Sequence, residues 1–388
     1  MENDLSFCRK ILFISPVPTH PQNAGNRTRV ATLLSTLKDL GHDVHFLFIG
    51  QESGDIKLMT QVWGPQFSSV SYQLPRTILK RLQRRFQRLT RSPEQYCYDI
   101  DDWYDPSLDD ELVSIQRKEK FEVVIVSYVF FSRALNIFDD KVTKIIDTHD
   151  AFADRHLKYL AKGETPVWFS TSNAGERKAF DRADIIFAIQ EKEQKLFSGM
   201  TDKKVVTLGH TAHVKYLDPA LAKKLRILFV ASDNNINVHG IRFFIDKVLP
   251  IVQRELPEVE LALAGSVCGA VADRHGIVKL GRVDDLTDAY RSAALVINPV
   301  LFNTGVSIKN LEALGFGKPL ITATVGTEGL ESGEGVAYLV ADTAEDFAAR
   351  TLDILQNTNL RLSLSQKSIA YVQQCNQDIV NCLQAALR

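Results

Sequence analysis

The sequence predicts an α/β protein built from two doubly wound Rossmann-like domains. Short, wholly apolar runs alternate with amphipathic helical stretches almost from end to end. That pattern suits parallel strands covered by helices on both faces. The rhythm stops in a polar segment, HVKYLDPALAKK (213–224), and then begins again. At 388 residues the chain also exceeds the usual size of one domain.

In the first half, ILFISP (11–16) is followed by a helical pattern at 27–40 and then by VHFLFI (44–49). VVIVSY (123–128), KIIDTHD (144–150), DIIFAI (184–189) and KVVTLG (204–209) continue the series. The second half opens with LRILFVA (225–231) and a helical pattern at 237–254. VELALAG (259–265), IVKLG (277–281), ALVINPV (294–300), KPLITAT (318–324) and VAYLVA (336–341) follow, and 343–388 reads as helix. The expected domains are 1–215 and 216–371, with a terminal helix near 372–388 able to pack back on the first. In such folds ligands bind at the carboxyl ends of the strands, and two such edges are expected to face each other across a cleft.

One insert breaks the rhythm. RTILKRLQRRFQRLTR (76–91) carries seven basic residues and no acid, with Ile78, Leu82, Phe86 and Leu89 at three- and four-residue steps. A basic amphipathic helix of this kind reads as a membrane-surface or anionic-partner element. The plainer reading is a charged outer helix packed through its stripe. The net charge of −1 offers no global attraction to nucleic acid, so no nucleic-acid partner is expected. Five cysteines (8, 97, 268, 375, 382) show neither CxxC nor CxxH spacing, which argues for reduced thiols and against zinc. MENDLSFCR (1–9) lacks a signal pattern, and the longest apolar run, VVIVSYVFF (123–131), is too short to span a bilayer. A cytoplasmic protein is expected, at most peripheral to the inner face of the plasma membrane.

The candidate chemistry lies just past the strands. After ILFISP, the loop VPTHPQNAGNRTR (17–29) brings Gly25, Asn26 and Arg27 to a helix N-terminus, an arrangement that suits phosphate. Gly-Asn turns also commonly just begin helices. DTHD (147–150) ends another run, putting Asp147, His149 and Asp150 where a purely structural strand end needs no polar groups. His149 can be a base, a donor to substrate, a capping residue or a satisfied structural histidine. LFVASDNNINVHG (228–240) places Ser232, Asp233, Asn234, Asn235 and Asn237 between strand and helix, where amides cap the helix or line a pocket. In KLGRVDDL (279–286), Gly281 and Arg282 are placed for a base edge or a phosphate, and Asp284 for a helix cap.

FNTGVSIKNLEALGFGKPLITATVGTEGL (302–330) is the richest stretch. Asn303, Thr304 and Gly305 precede a helix with Ser307 as a plausible N-cap, and Gly315, Gly317 and Pro319 end it. Lys309 and Glu312 share a face in the first turns, where the helix dipole favours an anion. An exposed i,i+3 salt bridge is the ordinary reading. A nucleoside diphosphate explains the pair better: phosphate on the N-terminus countered by Lys309, and a ribose diol accepted by Glu312. DID (99–101) is set aside as a metal motif because it does not follow a strand. GSVCGAV (265–271) lacks the downstream acid that a nicotinamide dinucleotide needs. GxxxxGK[ST], HExxH and GxSxG patterns are absent.

The 302–330 stretch resembles the donor-binding segment of family-4 retaining glycosyltransferases of the GT-B fold, with its Gly-rich loop, Lys-x-x-Glu-Ala and closing glycines. ILFVASDNNINVHGIRFFIDKVLPIV, LALAG and GRVDDLTDAYRSAALVINP match the same domain in order, and the loop around Gly25 and DTHDAFADRH match the other more loosely. The resemblance implies transfer of a sugar from a nucleotide diphosphate donor, with retention, to a polysaccharide or lipid-linked glycan. A uridine diphosphate sugar such as UDP-glucose is favoured, with guanosine diphosphate mannose next. By this resemblance Glu312 holds the ribose, Lys309 and Gly25 the diphosphate, and Arg282 with Val283 the base. Ser232, Asn235, Asn237, Asn26, Arg27, Thr304, Gly305 and Val306 line the donor. His149, Asp150 and Lys309 sit at the reacting sugar. It also implies no metal and no cofactor, the leaving diphosphate being stabilised by positive charge and helix dipole, and a front-face path in which the donor phosphate helps take the acceptor proton.

Two departures stand out. Thr304 occupies the position of the first glutamate of the family's Glu-x7-Glu pattern. The Arg and Lys that usually follow the donor domain's first strand are also missing, with Asn235 and Asn237 in that region, which leaves Arg27, Arg242 or Lys309 to supply the charge. A degenerate homologue that binds nucleotide or glycan without transfer, or an epimerase or phosphorylase on the same fold, is the alternative.

Overall fold

The computed structural model describes residues 8–22, 24–74, 85–87, 89–161, 163–283, 285–301 and 307–388. Within them are two parallel sheets with helices on their faces. The first runs in the order β3-β2-β1-β4-β5-β6-β7. Its strands are Lys10–Ser15 (β1), Asp43–Ile49 (β2), Phe67–Val70 (β3), Val123–Ser127 (β4), Thr143–Asp147 (β5), Ile185–Ala188 (β6) and Lys204–Thr207 (β7). The second runs β10-β9-β8-β11-β12-β13. It comprises Arg226–Val230 (β8), Glu260–Ala264 (β9), Ile277–Gly281 (β10), Leu295–Asn298 (β11), Leu320–Thr322 (β12) and Leu339–Val340 (β13).

The apolar runs become strands because burial on both faces rewards continuous hydrophobicity: β4, VVIVS, is buried at every position. β3 is the strand that periodicity does not reveal. FSSV is short, half polar and at the sheet edge, so burial leaves little mark on its sequence. The helix read at 27–40 is Gly25–Asp39, with Val30, Leu33, Leu34 and Leu37 buried at helical spacing. The one read at 237–254 is interrupted. An α-helix, Asn235–Phe243, passes through a π turn at Phe244–Val248 into a second, Leu249–Glu255. Pro250 lacks an N–H and cannot continue the earlier hydrogen-bond register, so the turn widens just before it.

The chain divides into two compact units, Met1–Gly209 with Ile379–Arg388, and His210–Asp378. The change falls before the polar segment 213–224 that composition marks as linker. Both units carry a topological switch point, where strand order reverses and the loops at the carboxyl ends diverge. In the first unit it lies between β1 and β4, and in the second between β8 and β11. The closing helix, Thr358–Leu387, gives Leu364 and Val372 to cores of the second unit and Ile379, Leu383 and Leu387 to that of the first.

Most of the basic insert, 75–84 and 88, lies outside the described residues; Phe86 and Leu89 are exposed. Among the described residues no helix is long and apolar enough to cross a membrane.

Candidate functional site

In the second unit, polar side chains gather at the switch point. The helix Asn235–Phe243 starts just after β8, where Asn234 caps it by accepting from the Asn237 backbone N–H at 2.9 Å. The Asn237 side chain then faces two ways. Its amide nitrogen donates to the Ser232 carbonyl (3.1 Å) and hydroxyl (3.2 Å), while its Oδ1 accepts from Lys309 Nζ at 2.7 Å. Lys309 lies in the first turn of the helix Ile308–Gly315, which follows β11. The two strands flanking the reversal thus deliver Ser232, Asn237 and Lys309 to one spot.

The environment of Lys309 is unusual for a cation. Its ammonium sits 5.3 Å from the Phe229 ring centroid, and among the described residues no carboxylate pairs with it. Burial pulls its pKa down from 10.5 to about 8. Glu312, one turn further on, accepts from the Tyr290 hydroxyl at 3.2 Å, and burial pushes its carboxyl up from the usual value. The ordinary i,i+3 salt bridge is therefore not what holds these residues. Each turns to a different neutral partner.

Ser307 occupies the N-cap position of Ile308–Gly315 but no side chain caps the helix. Its hydroxyl instead accepts from Asn298 Nδ2 at 3.1 Å. Asn298 also donates to Asn310 Oδ1 (2.9 Å), whose amide donates to the Gly326 carbonyl (2.9 Å). This buried amide chain ties the helix start to β11 and leaves the first turn uncapped. The sequence reading missed it, because an asparagine three residues into a helix looks like a solvated position until the strand behind it is known.

Other expected donor residues stand apart. Asn235 is exposed, as are Arg282 and Val283 at the end of β10, the edge strand. Arg242 is in the last turn of its helix and donates to the Ala270 carbonyl at 3.2 Å. Asn303, Thr304, Gly305, Val306 and Asp284 lie outside the described residues. Gly265 of GSVCGAV has φ +103°, and a Cβ there would meet the Ala231 carbonyl oxygen at 2.1 Å. That glycine serves a close backbone approach.

The first unit assembles a different cluster. Gly25 opens its helix, and Asn26 accepts from the Arg27 backbone N–H (2.9 Å) while its amide reaches the Tyr128 hydroxyl (3.4 Å). Tyr128 follows β4 and stacks on the His149 ring after β5, centroids 4.3 Å apart and 16° between planes. Both have left-handed backbones, φ +68° and +62°. For non-glycine residues that is strain, of the kind the surrounding structure must impose. Asn26 and His149 are thus brought together through a tyrosine that the sequence reading did not single out.

Three of the charged residues near these loops have partners of their own. Asp147 has a structural need: it is fully buried, gripped by Arg29 Nε at 3.1 and 3.2 Å, with His149 Nε2 3.0 Å from its other side. Burial pushes its carboxyl up, but Arg29 and His149 outweigh that and hold it well below the usual range. Arg29 also donates to the carbonyls of Leu208 and Gly209, at 3.1 and 2.8 Å. Asp150 turns to Arg155 Nη1 at 2.8 Å. Arg27 reaches Glu52 (3.4 Å) and the Ser53 carbonyl (3.1 Å). Among the described residues no group of three His, Cys, Asp or Glu stands close enough to hold a metal ion.

Comparison with known proteins places these features. Residues 224–357 match the family model described as glycosyl transferases group 1. A Klebsiella pneumoniae relative, an uncharacterized 44.6 kDa protein in the cps region, is 20% identical and covers 94% of this chain and 96% of its own. A variant of S. aureus TarM in complex with fondaparinux, α-GlcNAc-glycerol and UDP superposes with a TM-score of 0.68 at 9% identity, covering 98% of this chain and 100% of that one. Anabaena HepE in complex with UDP and glucose gives 0.62 at 14% identity, covering 97% and 99%. The two-sheet architecture is the GT-B fold of these neighbours.

Proposed function

We propose that this protein is a retaining glycosyltransferase that moves a sugar from a uridine diphosphate donor to a glycan or lipid-linked acceptor in building a surface polysaccharide. The observation that carries the reading is Lys309: a cation drawn toward neutrality by burial, held by an amide, at an uncapped helix N-terminus beside the switch point. A desolvated cation with no counter-charge among the described residues, together with the dipole of the helix behind it, calls for an anion. The leaving diphosphate supplies one. Glu312, one turn along, has one oxygen held by Tyr290 and, among the described residues, the other open to accept a ribose diol. The match of 224–357 to group 1 glycosyltransferases spans this region, and the structural neighbours hold UDP. The cps-region relative favours a polysaccharide product.

On this reading no carboxylate nucleophile is needed. Lys309 and the helix dipole stabilise charge that develops on the diphosphate, without a metal, and the acceptor proton passes to the departing phosphate. His149, pinned between Asp147 and Tyr128, is a rigid neighbour for the donor sugar. The basic segment 76–91 is proposed to touch the membrane or the lipid-linked acceptor.

The test is calorimetry and thermal shift with UDP, UDP-glucose, UDP-N-acetylglucosamine and GDP-mannose, with and without chelator. A UDP-sugar should raise the Tm by mass action, indifferent to chelator. Binding without turnover toward any acceptor would support the degenerate alternative, which Thr304 in place of a glutamate favours. No binding at all would overturn both.

Two outcomes at the donor site follow. Glu312→Ala should weaken UDP-sugar binding by about 1.5–3 kcal/mol, the worth of a charge-assisted hydrogen bond, with folding intact. Unchanged affinity would remove the ribose contact. The pH dependence is equally specific. A bound diphosphate raises the Lys309 pKa from its free value of about 8, so binding above pH 8 takes up a proton. Affinity should therefore hold below pH 8 and fall, by at most about tenfold per unit, as pH rises toward 10. Flat affinity over that window would mean that Lys309 does not face the anion.

A further inference from the structure

Beyond the donor contacts, we infer that Trp168 is the stacking platform for an acceptor sugar on the first unit; this rests on the transferase reading. Trp168 adjoins a dense aromatic cluster, and its neighbour Phe169 is wholly buried in that cluster. Trp168 is not. It remains 40% exposed, and its backbone is left-handed at φ +75°. For a bulky side chain that conformation is a genuine outlier, and burying the indole is what burial alone would favour. The strained turn does the reverse, presenting part of a large ring to solvent beside Val167, 64% exposed.

The location gives the strain a purpose. The Trp168 ring lies 6.3 Å from that of Tyr128, which stacks on His149 at 4.3 Å. Trp103, at 5.8 Å and 74°, and Phe130, at 6.4 Å, also meet it edge to face. The buried rings of His149 and Tyr128 thus lead from the strand end to the indole of Trp168, which alone of the three is exposed. Asp150, next to His149 and held by Arg155, puts a charge close enough to act on the Tyr128 phenol. Such a platform fits a pyranose. One face of the sugar ring carries C–H groups with partial positive charge, which meet the negative face of an indole, while its hydroxyls need polar partners at the rim. A rigid aromatic also loses little conformational entropy on binding.

The experiment is saturation-transfer NMR on the full chain with the methyl α-glycosides of glucose, galactose, mannose and N-acetylglucosamine, at saturating UDP. At least one glycoside should show transfer to ring protons of its apolar face. Trp168→Gly should weaken that binding about tenfold or more, the scale of one aromatic contact. Trp168→Phe should recover part of it. Glycine relieves the strain of φ +75° but gives up the ring contacts to Trp103, Phe130 and Tyr128, so its Tm is read beside its affinity. A large drop in Tm with glycoside binding retained would make Trp168 a packing residue and overturn the inference. So would transfer to no glycoside in wild type that binds UDP. Failure of wild type to bind UDP would instead sink the transferase reading, so the two failures are distinguishable.

Discussion

Lys309→Met should lose UDP binding by about 100-fold or more while leaving the free protein as stable as wild type, or slightly more so. The two halves of this result have one cause. Lys309 keeps an ammonium in a site that pulls its pKa from 10.5 to about 8, so the folded state bears a desolvation cost in the absence of ligand. Methionine fills a similar volume beside Phe229 without that cost, though it leaves Asn237 Oδ1 without its donor. The bound anion, by contrast, loses a charge-assisted contact and is left facing a helix N-terminus alone, about 2–3 kcal/mol in all. Calorimetry with UDP and a thermal melt of each protein read both effects. A lysine kept only for packing would behave differently: the variant would lose stability and keep its affinity.

Asp147→Ala should be the most destabilising substitution in the first unit, at about 3–5 kcal/mol, because it leaves the Arg29 guanidinium buried without a counter-charge. Arg29→Met combined with Asp147→Leu removes both charges and should recover much of that loss, since a buried pair is worth far less than either member left alone. His149 makes the single variant informative beyond stability. Without Asp147 beside Nε2, the ring loses its anchor, and its left-handed backbone at φ +62° loses one of the contacts that impose it. Denaturant titration measures the first effect, and the NMR line of the His149 ring the second. The sign with pH follows from the lowered carboxyl. Its contribution is complete above the ordinary aspartate value of 3.8 and fades only as pH falls through the lower folded value. Wild type should thus retain this part of its stability at pH 4, and a loss already at pH 5 would show that the ion pair is not formed in solution.

Much of the strand series was legible because parallel sheets leave a strong imprint: a run such as VVIVS has no solvent face to vary. Edge positions escape that logic, which is why β3 was invisible and why the two-residue β13 occupies only part of VAYLVA. Site residues divide in the same way. Lys309, Glu312, Asn237 and His149 were readable because polar groups just past apolar runs stand out. Arg29 and Tyr128 were not, since an arginine in a helix and a tyrosine at the end of an apolar strand look ordinary. Arg27 was chosen over Arg29 on proximity to a glycine. Two residues is just over half a helical turn, and it decides which of them reaches the buried Asp147 and which reaches Glu52.

By itself the sequence determined the architecture: alternating buried runs and amphipathic helices, twice over, admit little but two parallel doubly wound sheets. It also marked the strand ends where polar residues such as Asn237, His149 and Lys309 cluster. Only the tertiary structure decided which side chains face which. Strand order brings β8 beside β11, although 64 residues (231–294) lie between the end of one and the start of the other, and so places Asn237 against Lys309. The same ordering sets Tyr128 on His149 and turns Trp168 outward at its side. Those pairings depend on register and on the path of the chain between strands, and local periodicity carries no record of either.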